Sequence, residues 1–190
     1  MFTVILTGGS SRRMGRDKAM LPYEEGTLLQ ALIDRYKKSG TVGVSVDRVG
    51  RFPFRGAIEL PDLYPGQGPM NGVISGFRAT DESAILLTAV DLPYGDVALA
   101  RKLDELRGTA DAAAVKYGPK GIEPLFAVYG RPCYEAALAC MEGGKKSLFA
   151  MLDRVNVRYV RPDELLQFDL KHIFTNVNTP EDYRQIQKRK

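Results

Sequence analysis

The densest run of groups that could do chemistry is LTGGSSRRMGRDK, residues 6–18. Glycines 8, 9 and 15 permit tight turning and let backbone N–H groups face an oxyanion. Arg12, Arg13, Arg16 and Lys18 add charge-assisted donors suited to a polyphosphate. The run is not a Walker loop, because Arg16 rather than Lys-Ser/Thr follows Gly15. It is not a dinucleotide fingerprint either, since the G-x-G-x-x-G spacing is missing. Directly before it, FTVIL (2–6) is a continuous apolar run, as expected of a strand covered on both faces. Open α/β sheets bind ligands just beyond the carboxyl ends of such strands. The plain alternative is a solvated turn with incidental arginines.

Three further segments carry candidate groups. Asp91 follows AILLTAV (84–90), the most buried-looking strand, and would share a ligand edge with the first loop. Beside a polyphosphate a carboxylate there suits Mg²⁺, which takes one or two carboxylates plus phosphate oxygens. A turn aspartate before Leu92-Pro93 is the structural alternative. In PDLYPGQGPMNG (61–72), Asp62 could meet a ribose hydroxyl or the metal, and the backbone around Gly68 could approach a base. In NVNTPED (176–182), Thr179 and Pro180 read as the cap and first residue of a helix. Asn178 is left to offer its amide oxygen to metal or substrate.

The elements that must position these groups alternate between strand and helix patterns, which predicts an α/β fold with a mostly parallel central sheet. Helical spacing marks 27–40, 70–79, 96–108, 132–142, about 146–154 and 180–187. TVGVSV (41–46), RGAIEL (55–60), NVRYV (156–160) and HIFTNV (172–177) read as further strands. DAAAVKY (111–117) and EPLFAVYG (123–130) read as a hairpin or a mixed-sheet edge. At 190 residues, with no repeat or linker, the expectation is one three-layer domain, 1–190, with helices on both faces.

Composition narrows the function. Hydrophobic residues make up 44% and charged residues 26%, which excludes a disordered or coiled-coil chain. The net charge of +4 sits in one short loop and one tail, Arg184 to Lys190, not in a stripe. That placement argues for a small anion and against a nucleic-acid face. No apolar run nears the length of a membrane span, so the expected setting is cytoplasmic. Cys133 and Cys140 are seven apart in a helical pattern, about 10 Å, too far for a disulfide, and read as core thiols. His172 has no Cys or Ser partner in its sequence context and reads as structural.

With these residues in hand, LTGGSSRRMGRDKAML resembles the signature loop of molybdenum cofactor guanylyltransferases, members of the GT-A-like nucleotidyltransferases. PGQGPMNG, AVDLP and NVNTPED follow in that family's order and at similar spacing across nearly the whole chain. The resemblance implies a Rossmann-like fold of the nucleotide-diphospho-sugar transferase type. It implies GMP transfer from GTP to the molybdopterin-bound molybdenum cofactor, with release of pyrophosphate. Leu6, Thr7 and Gly8 would contact guanine or ribose, and Gly9, Ser45, Gly68 and Asn178 would complete the nucleotide site. Arg13 and Lys18 would hold the phosphates, Asp62 would line the pocket, and Asp91 would bind Mg²⁺. Other cofactor-biosynthesis proteins and molybdoenzymes would be partners. Departures are Thr7 for the common Ala, Met70-Asn71-Gly72 for Leu-Ala-Gly, and Ser45 for a common Asn. A cytidylyltransferase acting on molybdopterin, an isoprenoid precursor or a sugar phosphate is the sister reading. A non-catalytic nucleotide-binding protein is the third, and an intact Lys18 and Asp91 argue against it.

Overall fold

The structure is a computed structural model that describes residues 1–8, 17–118 and 121–188. The first strand, β1 (Phe2–Leu6), is fully buried and lies between two parallel neighbours. After it come a 3₁₀ turn at Lys18–Met20 and a small ribbon, β2 (Pro22–Tyr23) with β3 (Gly26–Thr27). Helix α1 (Leu28–Tyr36) starts where the Thr27 hydroxyl accepts from the Gln30 N–H, and leads to β4 (Val42–Val46) and β5 (Ile58–Pro61). Helix α2 (Met70–Ala79) crosses to β6 (Ala84–Ala89), and α3 (Val97–Arg107), capped by Asp96, leads to β7 (Ala112–Tyr117). Strand β8 (Gly121–Gly130), α4 (Pro132–Glu142), α5 (Leu148–Leu152) and β9 (Val157–Val160) follow. Short α6 (Leu170–Ile173) and α7 (Pro180–Lys188) complete the order.

Seven strands form one sheet in the order β5-β4-β1-β6-β8-β7-β9. Strand β8 is antiparallel to both β6 and β7, and the other pairings are parallel. The carboxyl ends of β1, β4, β5, β6, β7 and β9 therefore share one edge. Strand order reverses at β1/β6, the kind of switch point where doubly wound sheets hold ligands.

Two-residue alternation splits the core into two layers. Ile5, Val44 and Leu86 face α1 and α3, while Val4, Leu6, Ile85 and Leu87 face α2 and α4. Both layers are apolar, which is why β1 and β6 read as unbroken hydrophobic runs instead of alternating ones. Gly72 lets α2 lie close on this sheet: a methyl there would strike Leu6 and Leu87.

Two expectations need correction. HIFTNV does not form a strand: Leu170–Ile173 is a helical turn, with the Asp169 carboxylate accepting from the His172 N–H at 3.0 Å. Its buried residues, Leu170 and Ile173, are three apart, which suits a helical turn and not a strand. The helix predicted over 27–40 also stops early, at Tyr36, and Gly40 belongs to the following loop. The core-thiol expectation stands, with Cys133 and Cys140 both buried and free. His172 stacks on Tyr94 with ring centroids 4.0 Å apart.

Candidate nucleotide and metal site

Register brings the candidate residues together at the switch point. Leu6 at the end of β1 pairs with Ser45 on β4 and with Ala89 on β6. Ser45 in turn pairs with Leu60 on β5, two residues before Asp62. The Val90 N–H donates to the Leu6 carbonyl at 2.9 Å, so Asp91 leaves the sheet beside Thr7 and Gly8.

Lys18 joins the chain's two ends at this place. Asp17 caps the 3₁₀ turn by accepting from the Ala19 N–H at 3.2 Å, and Ala19 is wholly buried, which anchors the turn. The Lys18 ammonium donates to Asn178 Oδ1 at 2.8 Å and lies 3.7 Å from Asp91 Oδ2. Asn178 is delivered by the extended segment before α7: the Val177 N–H donates to the Asp91 carbonyl at 2.9 Å. The TPED motif is a reciprocal cap, with Asp182 accepting from the Asn178 and Thr179 N–H groups and donating its own N–H to the Thr179 hydroxyl. The Asn178 N–H bond, burial opposing it, and the Thr179 bonds together leave the Asp182 carboxyl below its ordinary value.

Burial pushes the Asp91 carboxyl above its ordinary value, and the Lys18 charge pulls it part of the way back. Asp91 Oδ1 is buried with no hydrogen-bond partner among the described residues. The orphaned Asp91 oxygen and the Asn178 amide oxygen are hard donors that fit a cation sharing phosphate oxygens, while the Lys18 ammonium suits the phosphates themselves. Among the described residues no group of three or more His, Cys, Asp or Glu could hold a metal unaided.

On the β4/β5 side, the Ser45 hydroxyl donates to Asp62 Oδ1 at 2.6 Å. Burial raises the Asp62 carboxyl, and the Ser45 bond opposes that rise. The Thr7 hydroxyl donates to the Ser45 carbonyl at 2.6 Å. That bond turns Thr7 into the fold, and Leu6 packs into the core, so their side chains clamp strands and only their backbone is left for a ligand. Gly68, with φ +94°, opens the loop before α2. Gly9 and Arg13, with Arg12, Gly15 and Arg16, lie outside the described residues.

Three contributors carry no local sequence signal. Arg51 bridges Asp17 at 2.7 Å and Asp47 at 2.9 Å, tying the far end of the Gly/Arg loop to the segment after β4. Asn71, almost fully buried on α2, accepts from the Tyr64 N–H at 2.9 Å and donates to the Tyr64 carbonyl at 2.6 Å. It thereby fastens the 61–69 loop. Asn71→Ala should cost about 1–3 kcal/mol in urea unfolding, the scale of buried polar groups left unpaired. Unchanged stability would show that the loop is held otherwise. The third is Glu123, where β8 departs from register before its ladder with β6 begins at Leu87↔Ala127. Burial raises the Glu123 carboxyl, the Leu125 N–H bond opposes this, and the nearby Asp91 charge adds to the rise.

Comparison with known proteins bears on the family and the fold. A family model described as the MobA-like NTP transferase domain matches residues 3–157. A Pelotomaculum thermopropionicum protein named "Probable molybdenum cofactor guanylyltransferase" is 32% identical, over 94% of this chain and 88% of its own. One of the same name from Carboxydothermus hydrogenoformans is 28% identical, over 97% and 93%. The crystal structure of molybdopterin-guanine dinucleotide biosynthesis protein A from Archaeoglobus fulgidus shares the fold, with a TM-score of 0.85, 23% identity, and 99% and 97% coverage. With β1 and β6 meeting at a lysine, an aspartate and an asparagine, and the family model spanning most of the sheet, the chain belongs to the MobA-like NTP transferase family and is a nucleotidyltransferase.

Proposed function

We propose that residues 1–190 act as one domain that transfers GMP from GTP to the phosphate of molybdopterin carrying molybdenum, giving the guanine dinucleotide form and pyrophosphate. The observation that carries this reading is Lys18 set between Asp91 and Asn178 at the β1/β6 switch point. The names of the curated relatives support the choice of acceptor and base.

In this reading an acceptor phosphate oxygen bonds to the α-phosphorus as the bond to the bridging oxygen breaks. The electron pair leaves with pyrophosphate. Such a step needs alignment and charge neutralisation more than a covalent nucleophile. Lys18 neutralises phosphate charge and, through Asn178, fixes the carboxyl-terminal segment beside it. Arg13 and the N–H groups of Gly8 and Gly9 serve the same phosphates. Ser45 and Asp62, bonded to each other, offer carboxylate and hydroxyl oxygens to the nucleoside, and the Gly68 loop covers the base. Asp91 would hold Mg²⁺, with Asn178 offering its amide oxygen, and the ion when bound would supply charge neutralisation on the phosphates. In this reading the reaction takes place in the cytoplasm. No helix among the described residues is long and apolar enough to cross a membrane. Other cofactor-biosynthesis proteins and molybdoenzymes are the proposed recipients.

Pyrophosphate release with molybdenum-bearing molybdopterin, Mg²⁺ and each of the four triphosphates tests the reading. GTP should exceed CTP at least tenfold in kcat/KM, about 1.4 kcal/mol of differential transition-state binding. Equal or better use of CTP would place the chain in the sister class.

A further inference from the structure

Asp91 is not the only carboxylate that the sheet brings to its place. The antiparallel ladder of β6 with β8 pairs Ala84 with Gly130 and Leu87 with Ala127. Counted onward past Leu87, the same ladder sets Asp91 opposite Glu123. Alternation puts both on the face that Leu87 and Ala89 share with Ala127 and Tyr129. Residues opposed in this way bring their Cβ atoms to about 5 Å where a ladder holds. Pro124 has no N–H to give, and β8 shifts its register against β7 between Ile122 and Ala127. Strand β8 therefore leaves regular pairing at the level of these two carboxylates.

The charges here do not balance. Asp91 has the Lys18 ammonium at 3.7 Å, whereas among the described residues no lysine or arginine pairs with Glu123. Glu123 Oε1 accepts from the Leu125 N–H at 3.1 Å, which fixes the carboxylate through one oxygen and leaves Oε2 for another partner. Two partly buried carboxylates against one ammonium leave negative charge uncompensated, and a divalent ion between them offsets it. Asp91 Oδ1 is already an acceptor turned away from water with no partner among the described residues. Mg²⁺ takes one or two carboxylates together with phosphate oxygens, so a second carboxylate suits it.

We propose that Glu123 is a second carboxylate ligand for the Mg²⁺ of Asp91. The ion would be held from β6 by Asp91, from β8 by Glu123 and from the carboxyl-terminal segment by Asn178. The assignment rests on the metal role given to Asp91 in the transfer reading and adds a ligand to it. It also gives the antiparallel strand a chemical task, because insertion of β8 beside β6 is what brings this carboxylate to the ion.

Mn²⁺ binding to the full chain tests it, read from the electron paramagnetic resonance signal of the free ion, alone and with GMP present. Glu123→Gln keeps the shape and should raise the Mn²⁺ Kd at least tenfold. Its melting temperature should equal or exceed that of the parent, since a partly buried charge beside another of like sign is removed. GMP affinity without metal should not change, and an equal loss there would overturn the assignment. Glu123→Asp keeps the charge but draws the carboxylate back by one methylene, and should weaken the ion by a similar factor. Wild-type Mn²⁺ affinity in Glu123→Asp would reduce Glu123 to a charge acting at a distance and overturn direct ligation. Asp91→Asn is the reference. Loss of Mn²⁺ in that variant with none in Glu123→Gln would overturn this ligand and leave the Asp91 site standing. A wild-type chain that takes up no Mn²⁺ in either condition would overturn the metal reading and this inference together.

Discussion

Asp91→Asn should lower turnover on the order of 10²–10³-fold, the scale of losing one preorganised electrostatic stabiliser in a phosphoryl-type transition state. The amide keeps the shape, and the bond from Val177 goes to the Asp91 carbonyl, so the carboxyl-terminal segment stays in place. The fold itself gains little from this charge. Burial already pushes the Asp91 carboxyl upward, so removing the charge also removes a desolvation cost. The melting temperature should therefore match or exceed that of the parent while activity collapses. Raised Mg²⁺ should recover part of the rate. Full activity at low Mg²⁺ would end the metal assignment, and a lowered melting temperature with normal turnover would mark a structural aspartate.

Lys18→Ala should be as damaging to activity, with a second signature that Asp91→Asn lacks. An exposed lysine would leave stability nearly unchanged, but the Lys18 side chain is only 17% exposed and is bound to both Asp91 and Asn178. Its loss strands a half-buried carboxylate and unfastens Asn178, for a destabilisation on the order of 1–3 kcal/mol at neutral pH. The pH dependence has a definite sign. A carboxyl raised in the folded state binds its proton more tightly there than when unfolded. Its cost to stability therefore grows as pH rises from the ordinary value of 3.8 through the raised one. Without Lys18 the folded value moves higher still, so the variant's deficit should be largest at neutral pH and shrink once Asp91 is protonated. A pH-independent deficit, measured by denaturant unfolding at pH 3.5 and 7, would exclude this coupling.

The strands that hold the site were legible because they are covered on both faces. FTVIL and AILLTAV are continuous apolar runs, and a polar or glycine-rich residue directly after each one marks the ligand edge. Capped helices such as Val97–Arg107, with Asp96 before and Gly108 after, were legible for the same local reason. What stayed hidden depends on contacts far apart in sequence. Insertion of β8 between β6 and β7 leaves no local trace, because pairing order is set by packing of whole elements. The Arg51–Asp17 bridge, the Asn71 fastening and the closeness of Glu123 to Asp91 join segments with no common motif. HIFTNV reads as a strand in isolation, but the Asp169 cap and the burial of Leu170 and Ile173 favour a helical turn. Leu6 and Thr7 are candidate site residues through the family resemblance, and the inward direction of their side chains is not written in that motif.

The bond from Lys18 to Asn178 spans 160 residues. During synthesis at about 5–20 residues per second, Asn178 is added roughly 8–30 s after Lys18. Asp91 is added partway through that interval, and the segment that carries Asn178 beside it comes only at the end. Under the guanylyl-transfer reading, a ribosome-bound fragment would be a poor trap for triphosphate, and competence would arrive when the carboxyl-terminal segment docks. On the same reading, chains cut short before Val177 would be inactive.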